Sequence, residues 1–150
     1  METLRARGVL VNKDSALGSV ILSGHSGGYH VMAAIAERGG LPANVREIWL
    51  FDALYGETEK FLTWQKQQNG RLRNIYTDSG GTTNETARAL ALLHSRGMND
   101  MLVAEDTRVP TVALQAIRIV FLHTDMTHNE VFARRGTFGQ FLKTSGLQNK

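Results

Sequence analysis

The sequence predicts an α/β fold: a mainly parallel sheet of four to five strands with helices on both faces. Two observations predict it. Strand-like and helix-like runs alternate along the chain, an order that calls for parallel strands joined by right-handed helical crossovers. The strand runs are also nearly continuous in apolar residues, as in Ile117-Arg118-Ile119-Val120-Phe121-Leu122, the pattern of strands covered on both faces. One hundred and fifty residues without internal repeat, linker or low-complexity segment make a single domain, residues 1–150, with its own core.

The elements follow in order. Residues 20–23 form the first strand and residues 29–38 its helix, ended by Gly39-Gly40. Residues 45–51 (VREIWLF) form the second strand. Residues 57–68 read as a helix with Phe61, Trp64 and Gln65 along one side and Asn69-Gly70 as its stop. Residues 72–77 (LRNIYT) form the third strand. Asn84 caps a helix running through Ser95, with Ala89, Leu90 and Leu93 as its apolar stripe. Residues 117–122 form the fourth strand. Thr127 caps a helical segment starting at His128, and residues 137–144 make a last short helix with Phe138, Phe141 and Leu142 facing inward. Residues 98–115 contain Pro110 and the charged run Glu105-Asp106-Thr107-Arg108; they read as a long connection or a broken helix.

Composition narrows the partners. The net charge is +3, and the arginines are scattered, including Arg5, Arg7, Arg46, Arg71, Arg73, Arg134 and Arg135. They read as a solvated surface, since a nucleic-acid interface needs basic residues clustered on one face. There is no cysteine, hence no disulfide, thiolate metal site or cysteine nucleophile. The N-terminus lacks the apolar centre of a signal peptide, and no apolar run reaches membrane-spanning length. A soluble, cytoplasmic protein with no membrane or nucleic-acid partner is expected.

The pentapeptide Gly24-His25-Ser26-Gly27-Gly28 carries the most chemistry. It is Gly-x-Ser-x-Gly at the junction of a strand and a helix. A turn that sharp leaves little room two residues either side of the serine, where Gly24 and Gly28 stand, with Gly27 adding relief. The turn lifts the hydroxyl above the sheet, near a helix N-terminus that favours developing negative charge. Sites in open parallel sheets form beyond the carboxyl ends of the strands. There the sequence places Ser26, then Asp52, then Asp78, then His123-Thr124-Asp125-Met126-Thr127-His128.

These residues, in the chain order Ser…Asp…His, resemble the second half of an α/β-hydrolase, from the nucleophile strand to the C-terminal helix. The resemblance covers most of residues 18–147. It implies a serine hydrolase acting on an ester, less often an amide, with no cofactor and no metal. Serine needs a neighbouring imidazole to take its proton and a carboxylate to orient that imidazole. Ser26 is then the nucleophile. His128 ranks ahead of His123 as the base, because the family places its histidine just past the last strand. Asp52 and Asp78 are the candidate acids: the family's usual acid follows the third strand of this set, which points to Asp78, and some relatives place it one strand earlier, which points to Asp52; Asp52 ranks slightly first because it directly ends a strong strand. Asp78 lies in a glycine-rich loop that also suits an Asx turn, and Asp125 comes third. Gly27 N–H supplies an oxyanion donor. His25 stands with it on the substrate side, or packs and hydrogen-bonds beneath it. Tyr55, Phe61 and Trp64 line an acyl pocket or belong to the core. Short loops leave no room for a cap, so short-chain esters and broad specificity are expected.

The chain also departs from the family. A full member carries about eight strands, several of them before the nucleophile; here fewer than twenty residues precede the first strand. The second oxyanion donor, from a loop of that missing half, is absent. The first strand becomes a bare sheet edge, covered by residues 1–17 or, ranked ahead of that, by a second copy in a homo-oligomer. Three other readings stay open. One is a non-catalytic half-domain acting through association. Another is a phosphate binder at the elbow, without the lysine of a P-loop. The last is a metal site from His123, Asp125 and His128, at a spacing that matches no well-defined pattern.

Overall fold

The computed structural model describes residues 2–9, 17–38, 40, 43–78 and 81–147. Its centre is one sheet of five parallel strands in the order β1-β2-β3-β5-β4. The strands are β1 (Val20–His25), β2 (Val45–Phe51), β3 (Arg71–Thr77), β4 (Met101–Glu105) and β5 (Ile119–Thr124). The helices are α1 (Glu2–Ala6), α2 (Tyr29–Arg38), α3 (Thr58–Gln68), α4 (Thr83–Ser95), α5 (Thr111–Ala116) and α6 (Thr137–Lys143).

Alternation along β2 assigns the two faces. Ile48 and Leu50 join one core cluster with Met32 and Ala33 of α2, Phe61, Leu62 and Trp64 of α3, and Ala89 and Leu93 of α4. Their neighbours Trp49 and Phe51 join a second cluster with Leu114 of α5 and Phe141 of α6. Successive strand residues point to opposite faces, so α2, α3 and α4 cover one side and α5 and α6 the other. The run Ile48–Phe51 is fully buried because both faces are covered. Phe61 and Trp64 belong to this core.

Several sequence expectations need correction. The stretch 98–115 holds β4 and α5 rather than a connection or a single broken helix. The strand signal in Met101-Leu102-Val103-Ala104-Glu105 is weak because β4 is an edge strand that buries none of its residues fully. The strand expected at 117–122 runs two residues later, placing His123 inside β5. The helix expected to start with an Asn84 cap begins at Thr83. No helix starts at His128; residues 128–133 form turns, and left-handed φ at Arg135 and Gly136 keeps them separate from α6. Leu142 faces solvent at 48% exposure while Phe141 is buried. The Gly39 helix stop and residues 10–16 lie outside the described residues. Among those described, α1 buries nothing, and β1 pairs only with β2 at the sheet edge.

Arg73 is not surface. It is fully buried on β3, on the face that meets α5 and α6. Its Nη1 donates to Phe141 O (2.9 Å) and Thr144 Oγ1 (2.7 Å), and its Nη2 to Leu114 O (3.0 Å) and Thr144 O (2.7 Å). Glu47, also buried, lies 3.8 Å from Arg73 Nε and accepts from Trp49 Nε1 and Gly146 N–H. Burial lowers the guanidinium pKa to about 10 against the pull of Glu47, with Arg71 lowering it further. The cation thus caps carbonyls at the C-terminal end of α6, where partial negative charge collects. A buried charge with this many acceptors is tolerable; without them its burial would be prohibitive.

Candidate active site

The elbow is built by β1 and the start of α2. His25 closes β1 in extended conformation (φ −117°, ψ 143°), and Ser26 then takes a left-handed φ of +54°. A non-glycine residue rarely adopts that conformation, and it persists only where the surroundings enforce it. Residues Ser26–Gly28 form a 3-10 turn running into α2. Tyr29 N–H bonds Ser26 O and Gly27 O. The N–H groups of Gly27 and Gly28 precede that bonding, as first-turn donors do. Gly27 is exposed and Ser26 half-buried.

The two flanking glycines are not equivalent. A Cβ on Gly24 would meet Met32 Sδ of α2 at 2.2 Å, so a side chain there requires the Met32 thioether to move. A Cβ on Gly28 would meet nothing within 4 Å. The expectation of crowding at both positions fails at Gly28, and at Gly24 the crowding comes from the Met32 side chain.

Asp52 follows β2, the neighbour of β1, and also has a left-handed φ, +42°. It is fully buried. Its Oδ1 accepts Thr77 N–H (3.1 Å) and Thr82 Oγ1–H (2.5 Å). Its Oδ2 accepts Thr77 Oγ1–H (2.9 Å) and His128 Nδ1–H (2.6 Å). Four donors from the end of β3, the start of α4 and the segment after β5 therefore converge on one carboxylate. With Nδ1 donating to Asp52, His128 presents Nε2 as its free acceptor, the arrangement a general base needs. Tyr55 Oη stands 3.4 Å from His128 Nδ1; burial and the Asp52 charge raise the pKa of its phenol.

His128 is held from the other side as well. Its ring lies 4.4 Å from the His25 ring, tilted by 32°. The His25 Nε2–H donates to the His128 carbonyl at 2.7 Å. Thr127 N–H and Oγ1–H both donate to Glu130 Oε2, each at 3.0 Å, closing the turn that carries His128. Met126 and Val131 anchor that turn in the second core cluster. Only the Glu130 half of a capping box is present: its carboxylate accepts Thr127 N–H, while Glu130 N–H bonds Thr127 O and not the hydroxyl, so the expected Thr127 cap does not form and the segment stays a turn.

The remaining candidates go elsewhere. Asp78 does not reach His128; it is 79% exposed and pairs with His123 Nε2 at 3.2 Å. His123 Nδ1 faces Glu105 of β4 at 3.0 Å. Asp125 pairs with Arg135 at 2.7 Å. His123, Asp125 and His128 therefore engage three different sets of partners, and no cluster of ligating side chains suited to a metal occurs among the described residues. The Asx turn expected around Asp78 falls partly on residues 79–80, outside the described ones. Sequence reasoning missed Thr77 and Thr82, which hold Asp52. A threonine at a strand end and another before a helix are common, and only the fold turns both toward one carboxylate.

Among the described residues, no helix is long and apolar enough to cross a membrane. No family model matches the chain, and neither a curated protein nor a solved structure matches it.

Proposed function

We propose that this chain is a serine hydrolase of α/β-hydrolase type that cleaves carboxylic esters through an acyl-enzyme on Ser26. The observation that carries the reading is the hydrogen bond of half-buried His128 to the buried Asp52, with His128 packed on the residue preceding a strained serine. In the reaction, Ser26 Oγ attacks the ester carbonyl while His128 Nε2 takes the hydroxyl proton. Asp52 holds the imidazole by Nδ1–H and stabilises its charged form. Gly27 N–H donates to the oxyanion of the tetrahedral intermediate. Collapse breaks the ester C–O bond, and His128 returns the proton to the leaving alkoxide. Water, deprotonated by His128, then attacks the acyl-serine and releases the acid. The half-buried Ser26, Tyr55 and His128 and the exposed Gly27 favour short, unselected ester substrates.

The test is covalent labelling by a serine-directed fluorophosphonate, with hydrolysis of a short-chain p-nitrophenyl ester beside it. Wild type is expected to lose fluoride from the probe and gain the phosphonyl group on Ser26. Ser26→Ala is expected to lose labelling and about 10⁴–10⁶-fold of the ester rate. Equal rates in both proteins would overturn the reading.

A second reading, association through the open sheet edge, is favoured by a separate observation. Val20, Ile21 and Leu22 of β1 are only half-buried, and Val31 on the adjoining α2 is 64% exposed. A strand edge of this kind is a ready template for pairing, and a second copy of the chain is the proposed occupant. An active monomer in sedimentation would exclude it as a requirement for catalysis.

A further inference from the structure

The two histidines on either side of the elbow make the contact that the hydrolase reading leaves unused. His25 is the last residue of β1, and its extended backbone turns its side chain away from that of Ser26. It sits on the α5–α6 side of the sheet, since Gly24 before it faces Met32 of α2. There its ring packs on His128 at 4.4 Å, and its Nε2–H donates to the His128 carbonyl at 2.7 Å. That hydrogen bond spans 103 residues of sequence. It joins the strand that carries Ser26 directly to the turn that carries the imidazole.

Residues 128–133 form no helix; the backbone bonds there, from Glu130 and Val131 N–H to Thr127 O and from Ala133 and Arg134 N–H to Glu130 O, close the turn on itself. The Asp52 contact fixes the Nδ1 end of the ring, and Thr127 with Glu130 closes the turn behind it. Asp52 refers the ring to the elbow through the β1–β2 pairing that sets Phe51 beside His25. The His25 bond joins the turn directly to the strand end from which Ser26 projects. A base displaced by an ångström from its nucleophile loses much of its effect.

We infer that His25 is a positioning residue: by donating Nε2–H to the main-chain carbonyl of His128, it locks the base turn onto the nucleophile elbow. This rests on the hydrolase reading and deepens it, replacing an oxyanion or substrate-binding role for His25. The donor works in both protonation states of His25, because Nε2 carries its proton in either. The neutral form must then be the Nε2–H tautomer, while His128 is the Nδ1–H tautomer.

The test compares fluorophosphonate labelling of Ser26 in wild type, His25→Phe and His25→Gln, as full-length chains checked for folding by circular dichroism. Phenylalanine keeps a ring against His128 and removes the donor; glutamine places an amide N–H near the position of Nε2. His25→Phe is expected to slow the bond-forming rate at saturating probe by about 10–100-fold, with little change in the concentration for half-maximal rate. His25→Gln is expected to recover to within about threefold of wild type. A His25→Phe protein that labels at the wild-type rate would overturn the role, as would a His25→Gln protein as slow as His25→Phe. Nitrogen-15 shifts of the wild-type imidazoles supply a readout that needs no variant to fold. They are expected to report Nε2–H at His25, and Nδ1–H there would also overturn the role. A wild type that does not label at all removes the hydrolase reading itself, and this role with it.

Discussion

Two histidine–carboxylate pairs stand at the carboxyl edge of the same sheet, and they differ in almost everything but residue type. His128 meets Asp52, which is fully buried and accepts three further hydrogen bonds from Thr77 and Thr82. His123 meets Asp78 at 79% exposure and Glu105 at 46%, with water free to compete for both. The first carboxylate has one available orientation. The second pair is a surface contact between long-range neighbours, of the kind that solvent and salt weaken. Burial with convergent donors turns a carboxylate into a fixed reference for an imidazole; proximity alone does not.

The largest expected effect separates the two acids. Asp52→Asn should cut ester hydrolysis and fluorophosphonate labelling by about 10⁴-fold, because the amide can orient the imidazole in the wrong tautomer and cannot stabilise its charge. Asp78→Asn should leave both within about twofold, as expected for an exposed pair. Near-equal losses in the two variants would erase the distinction between the pairs.

A smaller effect tests the donors. Thr82→Val removes the Oγ1–H bond to Asp52 Oδ1 while keeping the side-chain shape. Bonds to charged groups contribute about 1.5–3 kcal/mol, so urea unfolding should show a loss of that order. A stability unchanged from wild type would mean that the remaining donors suffice.

The smallest effect belongs to His123. Burial pulls its pKa down, but hydrogen bonds to Glu105 and Asp78 outweigh this and raise it above the ordinary imidazole value. Its stabilisation is therefore complete below the unfolded value, about 6.5, and is lost as pH rises through the higher folded value. Urea midpoints of wild type minus His123→Gln should fall across that window, and added salt should shrink the difference. A difference that rises with pH would contradict the assigned partners.

Much of the fold was legible in the sequence. The alternation of runs, the elbow at 24–28 and the acids and histidines after the strands all rest on local features: apolar periodicity, glycine and chain order. Four of the five strands and the set of residues at the carboxyl edge follow from these. β4 did not, because a half-covered edge strand needs less apolar sequence and so leaves a weaker pattern. Leu142 misled for the opposite reason, since an apolar residue on a short helix need not face the core.

What the sequence by itself determined is the type of architecture and the candidates: a parallel sheet, a serine raised on a tight turn, and acids and histidines brought to one end. Tertiary structure alone decided the pairings. Asp52 and Asp78 each directly follow an expected strand, and His123 lies nearer its strand end than His128, so the sequence could rank these residues but not pair them. Strand order, the left-handed turn at Asp52 and the two threonines selected Asp52 with His128, and left Asp78 in water beside His123. The same holds for Arg73, which reads as surface in sequence and is buried beneath the end of α6. Local propensity depends on neighbours a few residues away. The partner of a charge depends on groups dozens of residues distant, which only the folded chain brings within hydrogen-bonding reach.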